Sequence, residues 1–167
     1  GNDEYVISGN DQVIELAQEG TDLIWAAQSY SLILLPNVED LFLFGTAAAN
    51  LTGNDGRNAL EGNSANNVID GRAGNDTMVG GLGNDTLNGG GGKDIYVVNE
   101  GGASVSEGVS AGTDTVKSSV SWTLGANVER LTLTGTGSVN GTGNGVNNVL
   151  NGNTGNNSLN GGAGNDT

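Results

Sequence analysis

Carboxylates recur at a fixed spacing of nine residues in the middle of the chain. Asp76, Asp85 and Asp94 each follow a glycine by two positions, and those glycines are Gly74, Gly83 and Gly92. Asp favours turns for conformational reasons alone, but the constant spacing with glycine favours cation binding as the explanation. Carboxylate and turn carbonyl oxygens form the irregular cage of six to eight ligands that suits Ca²⁺ better than Mg²⁺. The spacing therefore predicts a row of calcium ligands.

The composition restricts the chemistry to hard cations. The 167 residues include 19 Asp and Glu against 5 Lys and Arg, which gives a net charge of −14. This charge argues against binding to nucleic acid or to anionic membranes. Because His and Cys are absent, there are no imidazole or thiolate metal ligands, no disulfides and no cysteine nucleophile. No apolar run is long enough for membrane insertion.

A nine-residue repeat accounts for many of the 31 glycines. It runs through residues 53–97 and again through 143–167, with Asp or Asn at position six. Position eight is apolar, at Leu60, Ile69, Met78, Leu87, Tyr96, Leu150 and Leu159. Glycines at positions one, two and four predict a tight turn with positive φ, and the next three residues predict a short strand with one inward side chain.

Two such units predict one coil of about 18 residues, and coils stacked about 4.8 Å apart form parallel sheets around a thin apolar interior. The predicted fold is therefore all-β, an elongated parallel β-roll or β-solenoid. Residues 18 apart are expected to lie above one another, so that Asp76 stacks on Asp94, Asn67 on Asp85 and Asn148 on Asp166. Stacked carboxylates repel each other unless a cation lies between them.

A longer period of about 90 residues relates the two halves of the chain. Residues 62–77 match residues 152–167 at an offset of 90, and Asn37-Val38-Glu39 matches Asn127-Val128-Glu129 at the same offset. We assign residues 1–77 to a first copy of this unit, and residues 78–167 to the rest of the roll and the second copy. No linker separates the copies. We expect one continuous elongated domain that is a fragment of a longer array.

The repeat resembles a known family. Gly80-Gly81-Leu82-Gly83-Asn84-Asp85-Thr86-Leu87-Asn88 matches G-G-x-G-x-D-x-U-x at every specified position, and that consensus is the calcium-binding repeat of RTX (hemolysin-type) proteins. Residues 112–133 also resemble segments that alternate with these repeats in large bacterial RTX proteins. The resemblance implies a parallel β-roll, calcium in the turns, export from a Gram-negative bacterium by a type I system and an extracellular or cell-surface location.

The expected metal ligands extend beyond the three central aspartates and their glycines. Asp166 and Asp3 have the same chemistry but lack a stacked Asp, so we expect weaker sites there. Asn67 and the other position-six asparagines, Asn58, Asn148 and Asn157, either bind weakly or close their turns by hydrogen bonds. We interpret Glu107, Asp114, Glu15 and Asp22 as a solvated face rather than a further site. Glu39 and Glu129 are either calcium ligands or turn-end charges.

Catalysis is not indicated, because the carboxylates follow the structural period and no His is available as a base. Three functions stay open. The first is a calcium-dependent structural segment of a secreted adhesin, surface fibre or matrix protein. The second is the C-terminal secretion and folding module of an exported lipase, protease or polysaccharide-modifying enzyme. The third is a carbohydrate-binding module. In each case we expect the chain to fold only where calcium is abundant, because the apolar interior is thin.

Three large apolar side chains distinguish the first copy from the second. Trp25, Phe42 and Phe44 occupy positions where the second copy has Lys117, Thr132 and Thr134. A cluster of exposed apolar side chains is unusual on a soluble monomer. We predict that these three residues form a contact surface, with homo-assembly into fibres or arrays as the simplest partner choice, although a local loop could equally cover them.

Overall fold

The computed structural model describes residues 1–9, 11–17 and 20–167. Every regular element in these residues is a short β-strand. In chain order the strands are β1 (Glu4–Ile7), β2 (Leu23–Ala26), β3 (Tyr30–Ser31), β4 (Asp40–Leu43), β5 (Leu51–Thr52), β6 (Ala59–Glu61), β7 (Val68–Asp70), β8 (Thr77–Val79), β9 (Thr86–Asn88), β10 (Ile95–Val98), β11 (Ser104–Ser106), β12 (Thr115–Ser118), β13 (Trp122–Thr123), β14 (Arg130–Leu133), β15 (Gly141–Thr142), β16 (Val149–Asn151) and β17 (Leu159–Asn160).

One face of the molecule is a single nine-stranded parallel sheet. Its strand order is β1-β2-β4-β6-β8-β10-β12-β14-β16, so each coil contributes one strand and each strand pairs with that of the next coil. In the nonapeptide region Leu60 pairs with Met78 and Met78 with Tyr96, so each step advances by two complete nonapeptides. The chain is therefore a parallel β-solenoid of the β-roll type, which confirms the predicted fold class.

The opposite face is divided into two sheets. One has five strands in the order β11-β9-β7-β5-β3, and the other has three in the order β13-β15-β17. The division between β11 and β13 falls where the coils change length. The coil from Ile95 to its partner Thr115 is longer than two nonapeptides, whereas the next coil, from Thr115 to Arg130, is shorter than two.

The apolar interior consists of two facing rows of side chains, one from each face. Because side chains alternate across a strand, each three-residue strand of a nonapeptide sends only its middle residue inward. The five position-eight residues from Leu60 to Tyr96 are fully buried, as predicted: Leu60, Ile69, Met78, Leu87 and Tyr96. Leu150 is half-buried and Leu159 is 43% exposed. These two residues lie in the last strands of their sheets, so each has a neighbouring strand on one side only.

The nine-stranded sheet passes from the first copy into the second without interruption, since β8, β10 and β12 are consecutive strands in it. A helix that is long and apolar enough to cross a membrane is not found in the described part of the chain.

Two leucines of one nonapeptide test how far the thin interior stabilises the fold. Leu87 is fully buried, whereas Leu82 is 53% exposed at the turn. We expect Leu87→Ala to lower the free energy of unfolding by about 2–5 kcal/mol, because it leaves a cavity between the two faces. Leu82→Ala is the matched control and should change it by less than about 0.5 kcal/mol. Urea unfolding of both variants at saturating calcium measures the difference, and equal effects would contradict the inward role of position eight.

Candidate metal centre

The residue immediately before each strand of the nine-stranded sheet is an acid or an asparagine. These nine residues, together with Asp166, follow the order Asp-Asp-Glu-Asn-Asp twice, because five coils make one 90-residue unit. We call this row the acidic column, and it consists of Asp3, Asp22, Glu39, Asn58, Asp76, Asp94, Asp114, Glu129, Asn148 and Asp166. Asp166, the last, lies beyond β16 and is placed by its hydrogen bond to Asn148.

In every acid of the column except Asp3, the first, one oxygen accepts a hydrogen bond from the backbone of the preceding coil. The N–H groups of Asn58, Asp76 and Asp94 donate to Oδ1 of the residue above, at Asp76, Asp94 and Asp114, each over 2.8 Å. The same bond joins Asp3 to Asp22, Asp22 to Glu39, Asp114 to Glu129 and Asn148 to Asp166. Glu39 and Glu129 therefore serve as turn-end hydrogen-bond acceptors, and Asp3 does stack on an acid, contrary to the sequence-based expectation.

The second carboxylate oxygen has no such partner at three central positions. Oδ2 of Asp76, of Asp94 and of Asp114 is buried and accepts no hydrogen bond. Burial raises the pKa of Asp76 to about 7 and that of Asp114 to about 6, and it also raises the pKa of Asp94. An unpaired buried charge is unfavourable, so these oxygens fit a cation that is coordinated by oxygen.

The asparagines of the column are satisfied without any cation. Oδ1 of Asn58 accepts from the N–H of Asn54 over 2.8 Å, and its Nδ2 donates to the carbonyl of Glu39 over 3.1 Å. Asn148 makes the corresponding bonds: its Oδ1 accepts from the N–H of Asn144, and its Nδ2 donates to the carbonyl of Glu129 over 3.3 Å and to that of Val128 over 3.0 Å. Of the two alternatives for these turns, closure by Asn hydrogen bonds is the one that the structure shows. The amide nitrogen donates to a turn carbonyl, which a carboxylate oxygen cannot do.

A shorter row on the opposite face follows the same rules. The N–H of Asn67 donates to Oδ1 of Asp85 over 2.9 Å, and Asp85 is buried with a pKa raised by that burial. Nδ2 of Asn67 donates to the carbonyl of Ala49 over 2.6 Å, and its Oδ1 accepts from the N–H of Asn63. Asn157 is closed in the same way by Val139 and Asn153.

The glycines of the turns have two different physical roles. Gly74, Gly83 and Gly92 take φ values of +117°, +112° and +139°, as predicted for position four. Position one was predicted to need positive φ and does not. Gly71, at position one, instead lies against the folded-back Oδ2 of Asp76, and a Cβ there would overlap this carboxylate. Glycine at position one is thus required by the position-six side chain of its own turn.

The interpretation of Glu107 and Asp114 as a solvated face is wrong. Asp114 is completely buried, and its oxygen, one from Glu107 and one from Asp94 lie within 4.8 Å of one another. Asp22 is also buried, and it groups with Glu15 and Asp3 in the same way. Sequence reasoning missed these residues because the turn before Asp114 breaks the glycine consensus. The available signal was a Tyr followed by a Glu in both copies, 10 residues later in the first and 11 residues later in the second.

The turn before Asp114 keeps part of the nonapeptide geometry, although Val109 and Ser110 replace the glycines at positions one and two. Ser110 takes a left-handed φ of 60° at position two, where Arg72 has 76° and Gly90 has 87°. The carbonyl of Ala111 accepts from the N–H of Gly92 over 2.7 Å, which continues the stack of turns.

The predicted contact surface lies on the outer side of the nine-stranded sheet. Trp25 and Phe42 are neighbours in register and make an edge-to-face contact with ring centroids 5.3 Å apart. Both are half-buried, and Phe44 is 38% exposed. Val6, which pairs with Trp25, extends the row and is also exposed. The use of this surface for assembly stays a prediction.

Comparison with known proteins supports the interpretation of the turns. A family model described as RTX calcium-binding nonapeptide repeat (4 copies) matches residues 52–87, 74–102 and 142–167. These ranges contain Asp76, Asp85, Asp94 and Asp166. Neither the comparison with curated proteins nor that with solved structures gives a match.

The raised pKa values predict that acid stabilises the calcium-free fold. Burial raises the pKa of Asp76 and of Glu107 to about 7, so the folded chain binds protons that the unfolded chain releases above its ordinary carboxyl pKa of about 4. With chelator present, stability should therefore be greatest below pH 4–5 and be lost as the pH rises through 6–7. Urea midpoints at pH 5 and pH 8 test this, and a higher midpoint at pH 8 would contradict it. Saturating calcium should weaken or reverse the trend, because protons then compete with the ion.

Exchanging Asp and Asn in the column tests why the two turn types differ. We expect Asp76→Asn to stabilise the chelated chain by about 1–3 kcal/mol, because it removes a buried charge and supplies donors where Oδ2 has no partner. The reciprocal Asn58→Asp should destabilise the chelated chain and make its folding more dependent on calcium. Thermal unfolding of both variants with chelator and with calcium gives the four values needed. A stabilising Asn58→Asp in chelator would show that the amide bonds are not what closes the turn.

Proposed function

We propose that this chain, which carries RTX calcium-binding nonapeptide repeats in a parallel β-solenoid, is a calcium-dependent structural segment of a secreted bacterial protein. An adhesin, a surface fibre or an extracellular matrix protein fits this role. The segment is exported unfolded and folds where calcium is abundant.

The contrast between Asp and Asn at equivalent turn positions carries the proposal. The asparagines satisfy both ends of their amides within the protein, whereas Oδ2 of Asp76, Asp94 and Asp114 is buried with no donor near it. A chain that only needed turns could use Asn throughout. Buried carboxylates with one free oxygen, in a protein without His or Cys, indicate that oxygen-coordinated cations complete the fold.

The proposed ligands are the aspartates of the two rows with the carbonyls of their glycine turns. Asp76, Asp85 and Asp94 lie in the matched repeats and are buried. Asp3 and Asp166 are more exposed and are proposed as weaker ligands. We propose that Asn67 closes its turn rather than binding an ion directly, because its amide group is already engaged. Bound calcium supplies positive charge to the column, and the residues of the chain fix the coils in register.

The ion concentration on the two sides of a cell envelope then decides the state of the chain. Extracellular calcium modules have Kd values of about 10⁻⁴–10⁻³ M. At free calcium about 20 times Kd, one site adds RT ln 21, about 1.8 kcal/mol, to stability. In a cytosol with submicromolar calcium the same site adds almost nothing. Several sites acting together are comparable to the stability of a small domain, so folding after export follows from the binding equilibrium.

A structural role is favoured over attachment to an enzyme by the continuity of the long sheet. The same five-coil order of acids and asparagine occurs twice in one sheet, with no interruption between the copies. Such a unit lengthens a rod each time it is repeated. The carboxylates follow this period, whereas an active site would depart from it. A secretion and folding module of an exported enzyme is the alternative, and the presence of one catalytic domain upstream in the parent protein would favour it.

Circular dichroism with calcium and chelator tests the proposed function. We expect the chain to change from a coil spectrum to a β spectrum as calcium rises into the millimolar range, and to return to coil on addition of chelator, because the net charge of −14 opposes folding without the ion. Magnesium at equal concentration is the control and should be much less effective. A chain that is fully folded in chelator and indifferent to calcium would refute the proposal.

A further inference from the structure

Three carboxylates from two consecutive coils meet beside the break in the second face. Asp94 precedes β10, Glu107 follows β11, and Asp114 precedes β12. One oxygen from each lies within 4.8 Å of the other two. Only Asp94 belongs to a complete nonapeptide, so the repeat consensus does not account for this cluster.

The cluster contains carboxylate oxygens that have no hydrogen-bond partner, and a glycine lies directly beside them. Oδ2 of Asp94 and Oδ2 of Asp114 are buried without a hydrogen-bond partner, and these residues are 1% and 0% exposed. The Cα of Gly89 faces the same space. A Cβ there would overlap Asp94 Oδ2, Glu107 Oε1 and the hydroxyl of Tyr96. The missing side chain of Gly89 therefore allows these three oxygens to approach one another beside its Cα, as Gly71 allows Asp76 Oδ2 to do in its own turn.

Tyr96 holds the third carboxylate in place. Its ring is fully buried in the interior row of the nine-stranded sheet, and its hydroxyl donates a hydrogen bond to Oε1 of Glu107. The N–H of Gly108 donates weakly to the other oxygen of the same carboxylate, over 3.3 Å. Glu107 thus points inward although the chain around it carries no glycine-rich turn.

The same arrangement occurs independently in the first copy. Asp3, Glu15 and Asp22 also bring three oxygens within 4.8 Å of one another, and the hydroxyl of Tyr5 donates to Glu15. The four residues correspond to Asp94, Glu107, Asp114 and Tyr96 at offsets of 91–92. The set recurs together with its flanking glycines, at Gly1 and Gly20 in one copy and Gly92 and Gly112 in the other, so it is a feature of the 90-residue unit rather than of the nonapeptide.

The dimensions of the cluster fit one ion of the size of calcium. Ca²⁺ binds oxygen at about 2.3–2.6 Å, so opposite ligands of one ion lie up to about 5 Å apart. Three oxygens that are all within 4.8 Å of each other can therefore share one calcium ion. Three carboxylates also bring three negative charges, and a higher charge count strengthens calcium binding.

We propose that each 90-residue unit holds one calcium ion on three carboxylates, Asp94, Glu107 and Asp114 in one unit and Asp3, Glu15 and Asp22 in the other. This site differs from the turn sites at Asp76, Asp85 and Asp166, where one Asp acts with backbone carbonyls. Asp94 and Asp3 each act here with two further carboxylates, so the site binds calcium more tightly than a turn with a single Asp. The inference rests on the proposed function, because it takes calcium as the ion. The ion joins consecutive coils where the ladder of the second face is interrupted between β11 and β13.

Counting bound calcium in charge variants tests the inference. Glu107→Gln keeps an acceptor for the Tyr96 hydroxyl but removes the charge, so it should bind one ion fewer than wild type at the same free calcium in native mass spectrometry. The double variant with Glu15→Gln should bind two fewer. Glu61→Gln is the matched control, because Glu61 is exposed on the outer side of β6 and its replacement removes one charge away from the cluster.

The variant Tyr96→Phe tests whether the Tyr96 hydroxyl only positions the carboxylate of Glu107 or is itself required for the ion to bind. The ring remains in the interior and only the hydroxyl is lost, so the ion should still bind, with an affinity about 10–100-fold lower, as for other losses of groups that orient a ligand. Terbium luminescence titration measures this affinity. If Glu107→Gln prevents folding, Glu107→Asp keeps the charge but withdraws the carboxylate by one methylene, and it should lose the same ion.

The outcomes separate this inference from the proposed function. If wild type binds no calcium and does not fold with it, the proposed function fails. If wild type folds with calcium but Glu107→Gln, or Glu107→Asp in its place, binds as many ions as Glu61→Gln and with the same affinity, the three-carboxylate site is refuted while the proposed function stands. Loss of one ion from Glu107→Gln, with calcium-induced β structure retained, supports the site.

Discussion

The fold depends on a hydrogen bond between a side-chain carboxylate and the backbone of the preceding coil. This bond ties Asn58 to Asp76, Asp76 to Asp94 and Asp94 to Asp114 at 2.8 Å each. It fixes the register of the coils at the edge of the long sheet, where the strands themselves are only three or four residues long. At these aspartates the same geometry buries the carboxylate, so the steps that align these coils also place an acidic group in the interior.

Asparagine and aspartate differ in how their buried side-chain polar atoms are satisfied at this edge of the sheet. An Asn closes its own turn, as Asn58 does with the N–H of Asn54 and the carbonyl of Glu39. An Asp accepts a backbone hydrogen bond from the preceding coil with one carboxylate oxygen, and its other oxygen stays available to a cation. The repeated order Asp-Asp-Glu-Asn-Asp places one self-sufficient turn in every five coils of this edge. The column therefore combines turns that are closed by their own side chain with turns that leave a buried carboxylate oxygen without a hydrogen-bond partner.

Two coils differ in length from the usual two nonapeptides, and these differences matter to the structure as much as the repeat does. The coil from Ile95 to Thr115 is longer than this standard, and the next coil, from Thr115 to Arg130, is shorter. The extra length in the first allows Glu107 to reach the interior, and the second face is divided beside it. The long sheet continues through this region because Asp114 keeps its place in the column even though its turn lacks the glycine consensus.

The sequence by itself determined the repeat unit, the parallel β-roll, the inward side chains from Leu60 to Tyr96 and the stacking of equivalent positions in alternate nonapeptides. Each of these follows from local periodicity: a turn that needs glycine at position four and a strand with one apolar residue fix the coil without reference to distant residues. The sequence left undecided whether the Asn side chains close their own turns by hydrogen bonds, and it led to the wrong interpretation of Asp114, Glu107 and Asp22. Only the tertiary structure decided these points, because burial and hydrogen-bond partners come from neighbouring coils. Asp114 lies outside the nonapeptide frame that contains Asp94, and it becomes a buried partner of Asp94 only when the coils stack.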